Sequence, residues 1–435
     1  MAAQLRLAKL FSMANTLTTC TACGSTCDDI QLQIDTQAHV MRTDNACELG
    51  QRWFATEGDT LPPATIRGQP ATLEQAVHHA AQLLDEAKLP LVTGLKQATI
   101  EAIREATALA DALGACIDWT TSAGDAAAML ALQTAGAVTA TIGEVAQRAD
   151  MVVVWQANLT ATHPRYHERY LDKCTSPWID TPEQRTLVWV GSELCEESEK
   201  ASHAILIKPN SSFESLLVLR AIVSGVELDA EAVVEQTGVS LDVWQDLANQ
   251  MKSARYGAVV HAGELGASRE SVIEVARLVA ELTATTRWVA LPAGSAGNSS
   301  GAASVLAWQT GFPLAVNFAQ RVPSFGPDEW TTRRMLARGE ADTVLVVASD
   351  LPSQLDSSAA EALAALPMIA LDWQPTATLK AAEVAIRVAR PGVECAGTTQ
   401  RSDGMMLPLR AAWDTDSPTC EAVLRAIATN LAARS

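Results

Sequence analysis

Four cysteines near the start of the 435-residue chain carry the clearest chemical signal. Cys20, Cys23 and Cys27 lie within eight residues, and Cys47 follows twenty positions later. Four thiolates at this C-x2-C-x3-C…C spacing are typical of a [4Fe-4S] cluster, which takes four cysteine ligands. A structural zinc ion uses the same donors, so the spacing alone leaves iron–sulfur and zinc both open.

A disulfide framework is the competing interpretation of these cysteines. The chain has nine cysteines, an odd number, and residues 1–15 contain Arg6, Lys9 and a broken apolar run too short for a secretory h-region. We therefore expect free thiols that bind a metal, and a cytoplasmic protein.

The segments around the cysteines indicate how they are positioned. Ile30–Ile34 alternates apolar and polar residues, which is typical of a hairpin arm. The polar, proline-broken stretch 54–65 is typical of a linker, so we predict a small four-cysteine N-terminal domain over residues 1–62.

The rest of the chain alternates short apolar runs with amphipathic segments. This pattern predicts an α/β fold of two lobes with mainly parallel sheets. We assign the lobes to residues 63–228 and 229–435, and this assignment leaves open that either lobe is discontinuous in sequence. We expect helices over 72–84, 98–115, 213–223, 271–283, 358–366 and 420–433, and buried strands at Pro90–Leu95, Met151–Trp155, Thr186–Val190, His203–Ile207, Gly257–His261, Trp288–Leu291, Thr343–Val347 and Met368–Leu371.

Composition excludes several function classes. Apolar residues make up 48% of the chain and charged residues 19%, as in an ordinary globular protein. The net charge of -18 argues against binding to nucleic acid or to an anionic membrane. No apolar stretch is long enough to span a bilayer.

Ligands of open α/β sheets bind beyond the carboxyl ends of the strands. We therefore expect binding loops after Trp155, Val190, Leu291, Val347 and Leu371, among them the glycine-rich segment 292–301. No P-loop and no G-x-G-x-x-G after a strand is present, so nothing favours binding of a mononucleotide or NAD.

Three weaker features have plain structural explanations. His163 and His167 have the i, i+4 spacing of a metal chelate but no evident third ligand, so loop or subunit contacts are favoured. The turn at residues 401–404 is either a ligand loop or a simple turn that needs glycine. The remaining cysteines are expected to be small buried side chains; they are Cys116, Cys174, Cys195, Cys395 and Cys420.

The layout of a C-x2-C-x3-C…C segment followed by α/β lobes resembles the molybdopterin oxidoreductase superfamily. Further motifs are Ala131–Gly136, Gly143–Asp150, Trp155–Asn158 with His163–Arg165, Trp308–Asn317 and Gly397–Gly404. Together they narrow the resemblance to the family of formylmethanofuran dehydrogenase B subunits, including its relatives in the formyltransferase/hydrolase complex of one-carbon-oxidising bacteria.

The resemblance implies specific site residues. Redox members hold a tungsten or molybdenum bis-pterin beside a [4Fe-4S] cluster, and a cysteine or selenocysteine next to a histidine ligates the metal. The corresponding loop here contains Ser122, Ala123, Gly124 and Asp125. Gly124 takes the ligand position and has no side chain with which to ligate a metal, and Asp125 replaces the histidine.

Three further departures concern substrate and cofactor contacts. Gly294–Ala296 replaces an Arg-Gly-His segment that would steady a carboxylate. Gly191–Glu193 replaces an Asp-x-Arg motif, and Ser212 replaces an acidic residue that would hold a guanine. We therefore expect the bis-pterin to be absent, with a [4Fe-4S] cluster or zinc as the remaining metal.

The resemblance then implies a redox-inactive structural subunit of the formyltransferase/hydrolase complex. That hetero-oligomer converts formaldehyde-level carbon to formate on a methylofuran or methanofuran carrier. The alternative is an active formylmethanofuran dehydrogenase subunit that transfers electrons through its cluster, with Asp125 as the metal ligand. A third hypothesis is an electron-transfer or metal-stabilised binding module.

Overall fold

The structure is a computed structural model that describes residues 14–35, 40–55, 62–121, 123–262, 265, 268–413 and 415–434. The strands in these ranges, numbered along the chain, are β1 (Ala14–Thr18), β2 (Ile30–Ile34), β3 (Val40–Asp44), β4 (Ala64–Ile66), β5 (Gln69–Pro70), β6 (Pro90–Gly94), β7 (Cys116–Asp118), β8 (Met151–Trp155), β9 (Thr186–Gly191), β10 (His203–Leu206), β11 (Tyr256–His261), β12 (Arg287–Pro292), β13 (Val316–Asn317), β14 (Ser324–Phe325), β15 (Thr343–Val347), β16 (Met368–Asp372), β17 (Val384–Arg387), β18 (Gly397–Gln400) and β19 (Met406–Leu409).

The α-helices in these ranges are α1 (Glu48–Phe54), α2 (Leu73–Glu86), α3 (Ile100–Leu113), α4 (Ala123–Ala135), α5 (Ile142–Arg148), α6 (Leu159–Thr162), α7 (Glu196–Lys200), α8 (Ser212–Val223), α9 (Ala230–Thr237), α10 (Leu241–Ser253), α11 (Arg269–Thr283), α12 (Ser299–Thr310), α13 (Thr332–Ala337), α14 (Ser357–Ala364), α15 (Ala377–Ala381) and α16 (Cys420–Ala432). A π-helix spans His167–Leu171, and 3-10 turns span Pro182–Gln184 and Leu351–Ser353. None of the described helices is long and apolar enough to cross a membrane.

The chain forms two compact units, and both are discontinuous in sequence. The first comprises residues 1–122, 295–401 and 406–435, and the second comprises residues 123–294 and 402–405. These bounds differ from the predicted domain boundaries at residues 62 and 228. The segment 14–55 belongs to the first unit. The second unit interrupts the first in sequence, because β13 and β15–β17, which follow the second unit along the chain, pair in the sheet of the first unit.

The second unit contains a five-stranded sheet in the order β10-β9-β8-β11-β12, with every pairing parallel. Strand β8 shows why its sequence is a continuous apolar run. Val152 and Val154 pack into the hydrophobic core on one face, and Val153 and Trp155 pack into the core on the other face. A strand buried on both faces needs apolar residues at every position.

The first unit contains a nine-stranded sheet in the order β14-β13-β7-β6-β15-β16-β17-β4-β5. Its centre, from β7 to β17, is parallel, and the strands at both edges are antiparallel. Strands β1–β3 form an antiparallel sheet of their own, and β18 and β19 form a hairpin. The predicted fold class of α/β units with mainly parallel sheets is confirmed.

Local sequence signals explain the element boundaries that matter for the site. Thr72 caps α2, and its hydroxyl and the Gln75 side chain form a reciprocal capping box. The alternation in Ile30–Ile34 makes β2 a hairpin arm, with Ile30, Leu32 and Ile34 buried. The predicted strands of both lobes and the carboxyl-terminal helix are present. Residues 56–61 of the expected linker lie outside the described residues.

Candidate functional site

The loop that carries the first three cysteines is closed by its own backbone. The Cys20 N–H donates to the Cys27 carbonyl oxygen at 2.8 Å, and the Thr26 N–H donates to the Cys23 carbonyl oxygen at 3.2 Å. Thr26 turns the chain back with a positive φ of 42°. Cys20 and Cys27 are buried, together with Ile30, in a small hydrophobic core. The loop therefore holds three thiols within one short, compact segment.

Cys47 joins this group at the start of α1. It is the residue before the first turn of the helix, and Gly50 follows in that turn. A Cβ placed on Gly50 would lie 3.4 Å from the Cys20 sulfur and 4.0 Å from the Cys47 sulfur. The sulfurs of the first and last cysteines of the motif therefore both lie within van der Waals contact of the position that a side chain at Gly50 would occupy.

The thiols influence one another electrostatically. Burial raises the pKa of the Cys20 thiol, and negative charge on Cys27, Cys23 and Cys47 would raise it further, whereas the Ala22 N–H acts in the opposite direction. Burial likewise raises the pKa of Cys23. Without a metal the Cys20 and Cys23 thiols stay protonated at neutral pH, so metal binding must release protons from these two residues.

The four-cysteine site has the donor chemistry of a metal or cluster site but not its closed geometry. Within the described ranges, no three His, Cys, Asp or Glu side chains already stand in a metal-binding arrangement. The donor chemistry nevertheless fits, because four thiols belong to the same small region, with Cys20 and Cys27 buried and Cys23 and Cys47 half-buried. Ser25 supports the fit, since its hydroxyl oxygen is buried and has no hydrogen-bond partner among the described residues. The four cysteines are thus grouped but not closed around one point.

The cysteine loop rests on other segments of the first unit. The Thr18 hydroxyl donates to the Gly392 carbonyl oxygen at 2.7 Å, and the Thr19 hydroxyl donates to the Pro408 carbonyl oxygen at 2.9 Å. The Gly297 N–H donates to the Thr21 carbonyl oxygen at 2.9 Å. Backbone groups from three distant parts of the sequence therefore fix this loop.

Gly297 belongs to the glycine-rich loop that sequence analysis marked as a ligand loop. It has a φ of +84°, and a Cβ there would lie 2.1 Å from the Lys96 carbonyl oxygen. The neighbouring Asn298 side chain donates to the Ala98 carbonyl oxygen at 2.8 Å and accepts from the Gln400 N–H at 2.8 Å. From Ser295 onward this loop is a structural support for the cysteine loop and for the turn after β6.

The strand order places the crevice of each parallel sheet at a definite pair of strands. Successive strands of the chain are added outward in opposite directions from β8 and β11 in the second unit, and from β6 and β15 in the first. The switch point of each sheet therefore lies between these two strands. Sequence analysis identified the loops after Trp155 and Val347 and missed the loops after Gly94 and His261. Leu95, Gln156 and Ala348, each directly after one of these strands, all have positive φ values of 67°, 53° and 50°.

Buried polar atoms lie at the β8–β11 crevice. The Trp155 indole nitrogen and the His261 Nδ1 atom are buried without a hydrogen-bond partner in the described part of the chain. Trp155 and His261 are directly paired in the parallel register. Burial lowers the pKa of His261 to about 4, so its imidazole is neutral at pH 7.

His163 and His167 are both buried, and they bond to different partners. The His167 Nε2 atom lies 2.6 Å from Glu197, which also accepts from the Thr160 N–H and hydroxyl at 2.9 Å. His163 Nδ1 lies 2.8 Å from the Thr162 hydroxyl. Burial acts to raise the pKa of Glu197, but the bonds from His167 and Thr160 outweigh it and hold that pKa below its usual value. These contacts anchor loops of the second unit.

The turn at residues 401–404 is a structural element. Gly404 has a φ of +85°, and Asp403 accepts from the Ile142 N–H at 2.8 Å at the start of α5. Of the five scattered cysteines, Cys116, Cys395 and Cys420 are buried as expected, and Cys174 and Cys195 are half-buried.

Comparison with known proteins decides the family. No protein family model matches the chain. The B subunit of the tungsten-containing formylmethanofuran dehydrogenase 2 from Methanocaldococcus jannaschii is 30% identical over 407 residues, which cover 91% of this chain and 93% of that protein. The chain belongs to the family of formylmethanofuran dehydrogenase B subunits. The B subunit of the formyltransferase/hydrolase complex Fhc from Methylorubrum extorquens is 29% identical over 295 residues, or 66% of this chain and 74% of that protein.

Solved structures agree with this family membership. A chain in the crystal structure of the formyltransferase/hydrolase complex FhcABCD from Methylorubrum extorquens, determined with methylofuran, matches with a TM-score of 0.72 and 26% identity. The match covers 85% of this chain and 99% of that chain. Acetylene hydratase from Pelobacter acetylenicus matches with a TM-score of 0.70 at 12% identity, covering 95% and 69%, which shows the shared fold alone.

The segment that sequence analysis assigned to a metal-ligand loop is helical. Ser122 lies outside the described residues, and Ala123, Gly124 and Asp125 form the first turn of α4. Gly124 contributes only backbone atoms. The expected loop is therefore the start of a helix.

Ser192 and Ser212, which sequence analysis expected in place of cofactor contacts, lie in the second unit. Gln156 donates to the Ser212 hydroxyl oxygen at 3.1 Å, and its amide oxygen lies 3.3 Å from the Ser192 hydroxyl. The side chain of Gln156 thus links the end of β8 to the loop after β9 and to the start of α8. Sequence analysis missed this bridge, because Gln156 belongs to no charged or metal-binding pattern.

Proposed function

We propose that the chain is the B subunit of a cytoplasmic formyltransferase/hydrolase complex, in which it holds other subunits together without redox chemistry of its own. In the reaction that this function implies, a formyl group passes to a methylofuran-type carrier and is then hydrolysed to formate. Neither step transfers electrons. The match to a chain of a complex determined with methylofuran supports this assignment.

The absence of a side chain at Gly124 carries the proposal. A tungsten or molybdenum centre of the family's redox type needs a sulfur or selenium ligand from this position, and glycine supplies none. Backbone carbonyl oxygens are hard donors that suit magnesium, calcium or manganese better than a thiolate-bound redox metal. In the same way, Gly294, Ser295 and Ala296 have no guanidinium with which to bind a carboxylate in bidentate fashion.

We further propose that Cys20, Cys23, Cys27 and Cys47 bind a [4Fe-4S] cluster, with zinc as the alternative occupant. Their spacing, the burial of Cys20 and Cys27, and the unpartnered Ser25 hydroxyl support iron–sulfur ligation. In a complex without redox chemistry the metal would stabilise the cysteine loop, because metal binding contributes directly to folding free energy.

An active tungsten or molybdenum dehydrogenase subunit is the second candidate function. The relatives that align over nine-tenths of the chain, from Methanocaldococcus jannaschii and Methanococcus maripaludis, are named tungsten-containing. In that case a side chain other than one at Gly124 must ligate the metal. Asp125 in the first turn of α4 is then the residue to examine.

Elemental analysis of the anaerobically purified native complex separates the two functions. We expect no tungsten or molybdenum per copy of this chain, together with formyl-transfer and hydrolase activity. Stoichiometric tungsten or molybdenum that is lost in an Asp125→Asn variant would overturn the structural assignment. The iron, sulfide and zinc contents of the same sample identify the occupant of the four-cysteine site.

A further inference from the structure

A small cavity in the first unit lies between the end of α1, the loop after β16 and the residues that follow β17. Its volume is about 100 Å³, which is enough for several water molecules or for a small anion. The charged side chains among its described lining residues are three arginines and one carboxylate; they are Arg52, Arg387, Arg390 and Glu394. In a chain with a net charge of -18, this is a local excess of positive charge.

The carboxylate does not neutralise this excess. Glu394 accepts from the Arg387 guanidinium at 2.7 Å and from the Arg390 backbone N–H at 2.9 Å. Arg52 pairs with Glu48 at 3.3 Å, but both side chains are exposed, and ion pairs of this kind contribute little. The cavity therefore retains positive charge.

The Arg390 guanidinium is fixed at the wall of this cavity. Arg390 is buried, its guanidinium lies over the Trp53 ring at 5.0 Å, and it donates to the Ala55 carbonyl oxygen at 3.5 Å. A guanidinium carries five N–H donors in a rigid planar fork. This fork matches the geometry of a carboxylate or phosphate group, which it binds in bidentate fashion.

Trp373 is a second and independent indication of a ligand. It lines the cavity with 9% of its surface exposed, and its indole nitrogen is buried without a hydrogen-bond partner among the described residues. An indole N–H only donates, so the missing partner is an acceptor. The adjacent Asp372 carboxylate accepts instead from the backbone N–H groups of Trp373 and Gln374, at 2.7 and 3.2 Å. Buried donors without a partner are rare in native proteins, and a bound water or ion is one explanation for them.

We propose that this cavity binds an oxyanion, the carboxylate or phosphate group of a small ligand, through its three arginines and the Trp373 indole N–H. A water molecule would satisfy the indole N–H but would leave the positive charge uncompensated, whereas an oxyanion does both. Hydrogen bonds to an ionised acceptor are also about twice as strong as those between neutral groups. The site depends neither on the formyl-transfer assignment nor on a metal at the four cysteines.

The test is isothermal titration calorimetry of the full-length chain in a Tris chloride buffer that contains no carboxylate or phosphate. Inorganic phosphate and acetate are titrated separately, and sodium chloride at matched ionic strength controls for screening. We expect saturable binding of at least one of the two oxyanions and none of chloride. The oxyanion that binds more tightly identifies the ligand as one that carries a phosphate or a carboxylate.

Three variants locate the bound anion. Trp373→Phe keeps an aromatic ring and removes the N–H, so we expect affinity to fall by about tenfold, as for one hydrogen bond to a charged group. Arg52→Gln removes an exposed guanidinium at the cavity and should weaken binding by about threefold. Arg425→Gln removes an exposed guanidinium of the same unit that does not line the cavity, and it should bind as the wild type does.

Two results would overturn the proposal. Absence of saturable binding of both phosphate and acetate would leave water as the occupant of the cavity. Binding that Trp373→Phe and Arg52→Gln leave unchanged would place the anion elsewhere on the chain. If circular dichroism shows that Trp373→Phe does not fold, the comparison of Arg52→Gln with Arg425→Gln decides, because both change an exposed side chain.

Discussion

The Gly297 N–H donates to the Thr21 carbonyl oxygen, so the loop after β12 supports the peptide between the first two cysteines directly. A substitution Gly297→Ala would place a methyl group 2.1 Å from the Lys96 carbonyl oxygen at a φ of +84°. We expect it to lower the free energy of unfolding by more than about 2 kcal/mol, since the clash adds to the cost of a strained backbone. It should also reduce the metal retained by the cysteine loop.

Gly311→Ala is the control that introduces a strained positive φ without a steric clash. Gly311 has a φ of +86°, and no described atom lies within 4 Å of the position of its missing Cβ. Its substitution should cost only the conformational term, about 1 kcal/mol. Equal losses of stability for the two variants in denaturant titrations would contradict a close contact at Gly297.

Replacement of one cysteine of the motif should release the metal. We expect Cys23→Ser to lower iron or zinc retention by more than about tenfold, because loss of an outer-shell partner alone can have an effect of that size. The variant should also unfold at a lower temperature than the metal-loaded chain. Cys174→Ser removes a half-buried thiol outside the motif and should retain the metal content of the wild type.

His261 should make the second unit sensitive to acid. Burial lowers the pKa of His261 from 6.5 to about 4, so the unfolded chain takes up this proton at a higher pH than the folded chain. The stabilisation is therefore present above pH 6.5 and is lost as the pH falls toward 4. From pH 7 to pH 5 we expect a loss of about 2 kcal/mol from this residue, by the linkage between proton binding and stability.

Urea titrations of wild type and His261→Gln at pH 7 and pH 5 measure this contribution. The variant should lose less stability than the wild type over this interval, even where its stability at pH 7 is lower. His203→Gln, on the exposed edge strand β10, should behave as the wild type does. A His261→Gln profile parallel to that of the wild type would contradict a neutral, buried imidazole.

Lysine should not be able to replace Arg185 without a loss of stability. Its guanidinium donates to four carbonyl oxygens of the second unit; these belong to Ala149, Leu171, Ala146 and Cys174. A lysine has fewer donors and no planar fork, so Arg185→Lys leaves buried carbonyl groups unsatisfied. We expect a loss of about 3 kcal/mol in unfolding free energy. Arg148→Lys, at an exposed side chain, should change stability by less than about 0.5 kcal/mol.

The elements that sequence analysis predicted correctly carry strong local signals. Strand β8 packs against a core on each of its faces through Val152, Val153 and Val154. A strand buried on both faces needs apolar residues throughout, which makes it visible in the sequence. Thr72 and Gln75 form a reciprocal pair within four residues, which is sufficient to mark the start of α2. The four cysteines are recognisable because a metal site needs several donors of one type at a short spacing, but their binding of a metal stays a prediction.

The features that sequence analysis missed depend on contacts between distant residues. Strands β13 and β14 have two residues each and are held by pairing with β7 and with each other, so they have no periodicity of their own. The role of Gly297 depends on Thr21 and Lys96, which are far from it in sequence. The discontinuous units follow from strand pairing, since β6 and β7 have to pair with β15 and β13.

The interruption of the first unit by residues 123–294 has a consequence for synthesis on the ribosome. All five strands of the second unit's sheet lie within one continuous stretch of chain, so that sheet can form while later residues are still being added. Strand β6 has already emerged by then, but its neighbour β15 begins only at Thr343. Nascent chains generally fold domain by domain. The second unit, which begins later in the sequence, is therefore the first one able to fold. The cysteine loop can form its hydrogen bonds to Gly392 and Pro408 only after those residues have been synthesised.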